Sequence, residues 1–454
     1  MLTGGPEPPY RPLWSLAAPA GPALSPAVVS GDLAISLGSE AVYGIDVASG
    51  TVEWEISREG GPLTIPAVAT VGDGQVLLYL DGPPEDEPSP SATPSASTGP
   101  SGATPSPSTG EDDADGSVLV GVSLEDRSEL WRAPLDGIAR SGVTVDGTTA
   151  YVGDQDGNVY AIALEDGTTV WSERVTGRVD APLAVADATV YAIARDEDAL
   201  RVRVAAFDAA TGERPWQPFV VPATSTAATA PAAGGGVVVI GAADRSVRAI
   251  GAEGGAERWS SLVLSLFSPA TSPALSEEGL FVADLGGGLY RLDPSSGERA
   301  WGYQFNDVVF RGSPVRSGSA VLLGLNDGRL AAVDAETGHL VWQSEESPGL
   351  IGAIALSGDA VIAVKGGRDA GLVAFEHDPD GTLLDEPSPT ELDLGTTLQR
   401  YAVAGVGVFA VVFVAGLLAA RRFGASPPDA AREDESEMDE GDPAPAEPDE
   451  EDES

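Results

Sequence analysis

The chain has 454 residues, 70 Asp and Glu against 25 Lys and Arg, a net charge of -45 and no cysteine. The missing cysteines exclude disulfides, thiolate metal sites and thiol nucleophiles. The negative charge makes nucleic acid and anionic lipid surfaces poor partners. Only one of the basic residues is a lysine, Lys365.

The first residues, "MLTGGPEPPYRPLW", carry no basic region followed by an apolar stretch of the kind that directs export. Either an export signal lies upstream of Met1, or it has been removed, or the chain is tail-anchored and faces the cytoplasm; the first two fit the rest of the sequence better. Trp14 stands in a short strand-like segment, "RPLWSL", with no preceding strand to pair with it. From residue 82 to 116 the chain turns to Pro, Ser, Thr and Ala without apolar periodicity, which predicts a disordered insert. The strand-like "QVLLYL" before it and "SVLVGV" after it read as two arms of one hairpin. Ser/Thr/Pro segments of this type are common acceptors of O-linked sugars outside the cell.

The eight tryptophans mark a repeat. Trp14, Trp54, Trp131, Trp171, Trp216, Trp259, Trp301 and Trp342 follow one another at intervals of 40, 77, 40, 45, 43, 42 and 41. Without the insert the long interval shrinks to about 42, so every tryptophan marks the same place in one repeated unit. Such a period fits four-stranded propeller blades and also two-helix repeats; local pattern decides between them. "TTAYVGDQDGNVYAIALEDGTTVW" alternates apolar and polar residues, is rich in Val, Tyr, Ile and Thr, and breaks at Asp-Gly turns. These are strands.

Four units fit an acid, glycine and tryptophan spaced four apart: Asp46, Gly50 and Trp54; Asp208, Gly212 and Trp216; Asp293, Gly297 and Trp301; Asp334, Gly338 and Trp342. Two more keep Gly167 with Trp171 and Gly255 with Trp259, but carry Ala163 and Gly251 at the acid position. The unit ending at Trp131 has Ser123 and Arg127 in place of acid and glycine, which predicts an altered turn. The repeat resembles that of the pyrroloquinoline-quinone-type β-propellers, over residues 11 to about 385. The resemblance implies that each tryptophan docks one blade on its neighbour, while the glycine before it makes a tight turn.

Eight tryptophans predict an all-β propeller of eight four-stranded antiparallel blades over residues 11–385, with seven as the alternative. The last unit puts Leu384 where a ninth tryptophan would fall, and Trp14 lacks partner strands. Both defects are resolved if the N-terminal strand joins strands from residues 350 to 376 and closes the ring. Beyond a stalk at 386–400, "YAVAGVGVFAVVFVAGLLAA" (401–420) runs for 20 residues without a charge. As a helix it would rise about 30 Å, enough to span a bilayer. Arg421 and Arg422 follow, which puts residues 421–454 in the cytoplasm and the propeller outside the cell. That tail holds 14 acidic and 3 basic residues with much proline, and reads as disordered; residues 1–400 keep a net charge of -34.

Chemistry finds little foothold. Quinone-dependent members of the resembled family hold quinone and calcium under long insertions, often beside a vicinal disulfide, whereas this chain has no cysteine and one low-complexity insertion. Its compact units resemble the non-enzymatic branch, similar to the propeller scaffold of the bacterial outer-membrane protein assembly machine. "DQDGN" at 154–158 and "LNDGRL" at 325–330 read as hairpin turns rather than calcium loops. The only histidines, His339 and His377, both fall in outer hairpins, His339 as an exposed turn neighbour. "AAGGGVVV" and "DLGGGLY" lack the Lys and Ser/Thr of a phosphate loop. No catalytic, metal or cofactor residue is therefore expected. The sequence predicts a non-catalytic, membrane-anchored binding or scaffold module at the cell surface with a protein or glycan partner. The alternative is a quinone- or ligand-binding propeller, dehydrogenase or sensor, working through its central funnel.

Overall fold

The computed structural model describes residues 5–384 except 19–23, 59–63, 73, 83–115, 222–226, 263–267, 270, 277, 311, 347–348 and 368–369. The stalk, the apolar stretch 401–420 and the acidic tail lie outside the described residues, as does nearly all of the insert. Among the described residues no helix is long and apolar enough to cross a membrane.

Thirty-two strands form eight four-stranded antiparallel sheets, and no helix occurs among the described residues. Blade 1 runs outward as Val28–Ser30, Leu33–Leu37, Ala41–Asp46 and Val52–Ser57. Blade 2 holds Ala67–Val71, Gly74–Asp81, Val118–Ser123 and Glu129–Pro134. Asp81 pairs with Val118 across the root of the insert, so the insert leaves from a single hairpin. Blades 3 to 7 repeat the pattern over 144–174, 184–220, 232–262, 274–304 and 315–343. In blade 8 the three strands Leu350–Ser357, Ala360–Gly366 and Gly371–His377 are joined by Tyr10–Ala17 as the outermost strand. The ring therefore has eight blades rather than seven, and both ends of the propeller meet in one sheet.

Alternation along the two middle strands of each blade explains why the ring is needed. Successive side chains leave a strand on opposite faces, and in blade 1 Ala34 packs toward blade 8 while Ile35 and Leu37 pack toward blade 2. Both faces are apolar, so a lone blade would leave each of them in water. The buried side chains divide into eight clusters, each drawn from two neighbouring blades. The core of this protein is thus eight seams. Its largest fully buried side chains include Tyr43, Tyr79, Tyr191, Tyr290, Phe207, Phe281 and Phe310.

Candidate functional site

The tryptophans sit at these seams. The indole N–H of Trp14, Trp131, Trp171, Trp216, Trp259 and Trp301 donates to a backbone carbonyl of the next blade, on Val47, Leu164, Ala209, Ala252, Pro294 and Ala335, at 2.7–3.1 Å. The acceptor is in every case the residue after the acid position of that next blade's turn. The indole rings lie over the same turns. A Cβ on Gly50, Gly167, Gly212, Gly255, Gly297 or Gly338 would come within 2.5–2.8 Å of Trp14, Trp131, Trp171, Trp216, Trp259 or Trp301 respectively. Each glycine thus faces the tryptophan of the preceding blade, not the one four residues after it. All six have φ between +66° and +76°, a region L-residues avoid, so conformation and space both call for glycine. Trp54 packs among Leu77, Tyr79, Val120, Val122 and Leu124 of blade 2. Trp342 meets Tyr10 edge-on at 5.1 Å and Phe375 at 6.3 Å, both in blade 8.

Sequence reasoning missed what aims these rings. The residue just before the tryptophan is a β-bulge in seven blades: Leu13, Glu53, Leu130, Val170, Arg258, Ala300 and Val341 are each skipped in the pairing register. A bulge kinks and twists its strand and redirects the next side chain, here toward the neighbouring turn. In blade 4 the outer strand shortens to Phe219–Val220, flanked by Pro218, and Trp216 keeps its hydrogen bond from outside any strand.

The turns are held by carboxylates. Asp46, Asp208, Asp293 and Asp334 accept from backbone N–H and hydroxyl groups two or three residues on, in Ser49, Ala210 and Thr211, Ser295 and Ser296, and Glu336 and Thr337. These donors hold Asp46, Asp208 and Asp293 below the ordinary carboxylate range. At Asp334 partial burial works the other way, and the Thr337 donors outweigh it. The expected alteration of the turn before Trp131 is not found. Arg127 adopts φ +63°, and its N–H donates to Ser123 O at 2.9 Å as the glycines do. Asp126 supplies the carboxylate from within the turn, accepting from Ser128 N–H and hydroxyl.

A second repeated device lies at the innermost strands. The hydroxyls of Ser25, Ser141 and Thr229 accept the backbone N–H of Leu37, Gly153 and Gly241, twelve residues later in each case, at 2.8–2.9 Å. Nearby, two buried carboxylates are fully engaged. Asp154 accepts from Asp156 and Asn158 N–H, Asn158 Nδ2 and Tyr160 O–H, and Asp284 accepts from Gly286 and Gly288 N–H and Tyr290 O–H. Burial and the adjoining Asp154 push the Tyr160 phenol up. At the root of the insert the buried Arg58 pairs with Asp81 at 3.4 Å and donates to Gly38 O and Leu80 O. His339 is half-buried rather than exposed, and His377 Nδ1 lies 2.7 Å from Glu7 O. Among the described residues no three His, Asp or Glu side chains gather as a metal would require.

Among the clefts formed by the described residues, two bear on function. One, of about 680 Å³, follows the seam where blade 8 meets blade 7, with walls that include Tyr10, Trp342, Phe375, Gln343, Lys365 and Glu345. On the adjoining strand Leu340–Gln343, the N–H of Leu384 donates to Val341 O at 2.8 Å, so the outer edge of that strand accepts one backbone hydrogen bond from the chain itself. Leu384 thus bonds to blade 7 from the place where a ninth tryptophan would fall. The other cleft, of about 740 Å³, lies over blades 5 to 7 and is lined by Val237, Arg258, Leu275, Glu278, Pro294 and Arg316, among others.

The sequence model of the family described as outer membrane protein assembly factor BamB matches residues 114–266 and 243–388, more than half of the chain. A curated relative of that name from Bordetella pertussis is 29% identical over 222 residues, covering 45% of this chain, and the chain spans only about half, 54%, of that relative's length. Among solved structures, BamB from Moraxella catarrhalis superposes with TM-score 0.57 at 14% identity, over 81% of this chain and 99% of that one. A quinohemoprotein alcohol dehydrogenase from Pseudomonas putida superposes with TM-score 0.55 at 12% identity, over 84% and 78%. At these identities the two structures speak for the fold alone. With the repeat, the eight-bladed ring and the family match in agreement, the chain belongs to the PQQ-type β-propeller family of the outer membrane protein assembly factor BamB.

Proposed function

We propose that this protein is a non-catalytic binding or scaffold propeller, anchored in a membrane by residues 401–420 with the propeller outside the cell, and that it docks an extended segment of a protein partner in the seam between blades 7 and 8. The name shared by its relatives, an assembly factor for outer membrane proteins, supports a role in holding other proteins. The observation that carries the reading is the seam itself. It is a cleft floored by the buried rings of Tyr10, Trp342 and Phe375, with the exposed Gln343 and Glu345 at its side, next to a strand that accepts a backbone N–H at Val341. Backbone bonds along an edge give affinity, and pockets for alternate side chains give choice of partner. In this reading the eight tryptophans and six turn glycines serve blade docking, and Trp342 also walls the seam that receives the partner. The likeness to a dehydrogenase is one of fold and adds no support for quinone chemistry.

A photo-crosslinking amino acid placed at Gln343, and separately at Lys365, in membranes carrying the full chain tests the site. The same discrete protein adduct from both positions, with none from Val170 on the outer rim of blade 3, is the expected result. No adduct at either seam position, or adducts equally abundant at Val170, would refute seam docking. Protease treatment of intact cells tests the orientation: the propeller should be cut and the acidic tail survive.

A further inference from the structure

We propose that the cleft over blades 5 to 7 is a second binding site, one that takes a carboxylate on an extended peptide through the guanidinium of Arg258. The argument begins at Gly251. In blades 1, 4, 6 and 7 the corresponding position carries Asp46, Asp208, Asp293 or Asp334, whose carboxylate is consumed by its own turn. Blade 5 has no side chain there, and the place is taken by arginine: a Cβ on Gly251 would lie 2.7 Å from Arg258 Nε. Arg258 is the bulged residue before Trp259 and is exposed to solvent. Among the described residues it makes no ion pair or hydrogen bond, although the chain has far more acids than bases.

The rest of the cleft suits a peptide that brings one charge and apolar neighbours. Val237, Leu275 and Pro294 supply apolar surface. The hairpin joining the first two strands of blade 5 turns through Gly235 and Gly236, and a Cβ on either would meet nothing within 4 Å, so the approach is open. Arg316 is already neutralised: its guanidinium reaches Glu278 at 2.6 Å and Gly318 O at 2.7 Å. Among the described residues the cleft thus offers one uncompensated positive charge, which matches a single carboxylate and not a polyanion. A planar guanidinium can bind a carboxylate by two parallel hydrogen bonds. Its volume, about 740 Å³, lies within the usual range for ligand sites.

Net charge makes a second expectation. Residues 1–400 carry -34, so the far field repels an acidic peptide while the contact with Arg258 attracts it. Salt screens the distant charges more than the contact pair, and moderate salt should therefore tighten binding rather than weaken it.

The test uses the full chain in detergent and two acetylated, amidated pentapeptides in which leucines flank a central Glu or a central Gln, titrated calorimetrically. The Glu peptide should bind at least about tenfold more tightly than the Gln peptide, and Arg258→Gln should erase that preference. Glu278→Gln, which frees Arg316, should strengthen binding of the Glu peptide. Unfolding midpoints of both variants should match the parent, since Arg258 and Glu278 are exposed. Equal binding of the two peptides, no binding at all, or a preference that survives Arg258→Gln would overturn the proposal. Crosslinking at Gln343 reads a different seam, so failure here leaves the first docking site untouched.

Discussion

Trp131 lies flat over Gly167, one blade and 36 positions away, while Trp171, only four residues beyond Gly167, turns its ring to Gly212 of the following blade. The motif is a relay: each turn receives one tryptophan and launches another. A double-mutant cycle separates this arrangement from a joint within the turn. Trp131→Ala should cost about 3–5 kcal/mol, as truncation of a buried aromatic does. Gly167→Ala should cost about 1–3 kcal/mol from its positive φ and the collision with Trp131. Combined, the two should fall short of additivity because the collision disappears, whereas Gly167→Ala with Trp171→Ala should add. Chemical denaturation of each variant measures the coupling.

Arg127 stands at φ +63° where six other turns use glycine. A non-glycine residue in this region bears a cost of about 1 kcal/mol or more. Arg127→Gly should therefore raise the unfolding midpoint, and Gly167→Arg should lower it. Thermal unfolding of the two variants is the check; a fall with Arg127→Gly would show that the arginine side chain stabilises the turn by more than its backbone costs.

The hydroxyl staples carry their own prediction. Ser141→Ala leaves the Gly153 N–H without its acceptor in a buried place and should cost about 1–3 kcal/mol. Thr229→Val should do the same to Gly241 with little change of shape. Faster amide exchange at Gly153 or Gly241, each in its own variant, would locate the effect.

Acid should act on the propeller in two stages. As pH falls from neutral, protonation of ordinary surface carboxylates relieves the repulsion of a -34 domain, which favours the folded state. The carboxyls of Asp46, Asp208, Asp293 and Asp334 have depressed folded values, so their contribution is complete above the unfolded value and disappears as pH falls through the folded one. Stability should rise and then drop below the ordinary carboxylate range. In the variant with all four changed to Asn the late drop should shrink, as unfolding midpoints measured across the acid range would reveal.

Much of the ring could be read from residues alone, because each blade repeats a large aromatic that no other part of the chain uses. Even ring closure followed from two flaws, an unpaired Trp14 and a Leu384 where an indole was due. What stayed hidden were properties of the backbone. The bulges at Leu13, Glu53, Leu130, Val170, Arg258, Ala300 and Val341 share no side-chain chemistry, since a bulge is a matter of pairing count. Arg127 gave no sign that it could take a glycine conformation. The staples at Ser25, Ser141 and Thr229 did leave a trace, a hydroxyl twelve residues before the strand end it caps, but serine and threonine are too common for that spacing to stand out. The cleft over blades 5 to 7 opens where side chains are missing, at Gly235 and Gly236, and absence has no pattern to count.

Pairing of Tyr10–Ala17 with Gly371–His377 also sets an order of events at the ribosome. The strand made first must wait for nearly the last segment of the propeller before it has a partner, and through that interval its unpaired edge is open to the wrong neighbour. Seven blades can stack as they emerge, each on the one before, but the circle is sealed only by a contact between the two ends of the ring. Closure is therefore the step with the greatest loss of chain entropy and the longest exposure to misassembly, and this protein's yield in a cell will depend on how well that first strand is guarded.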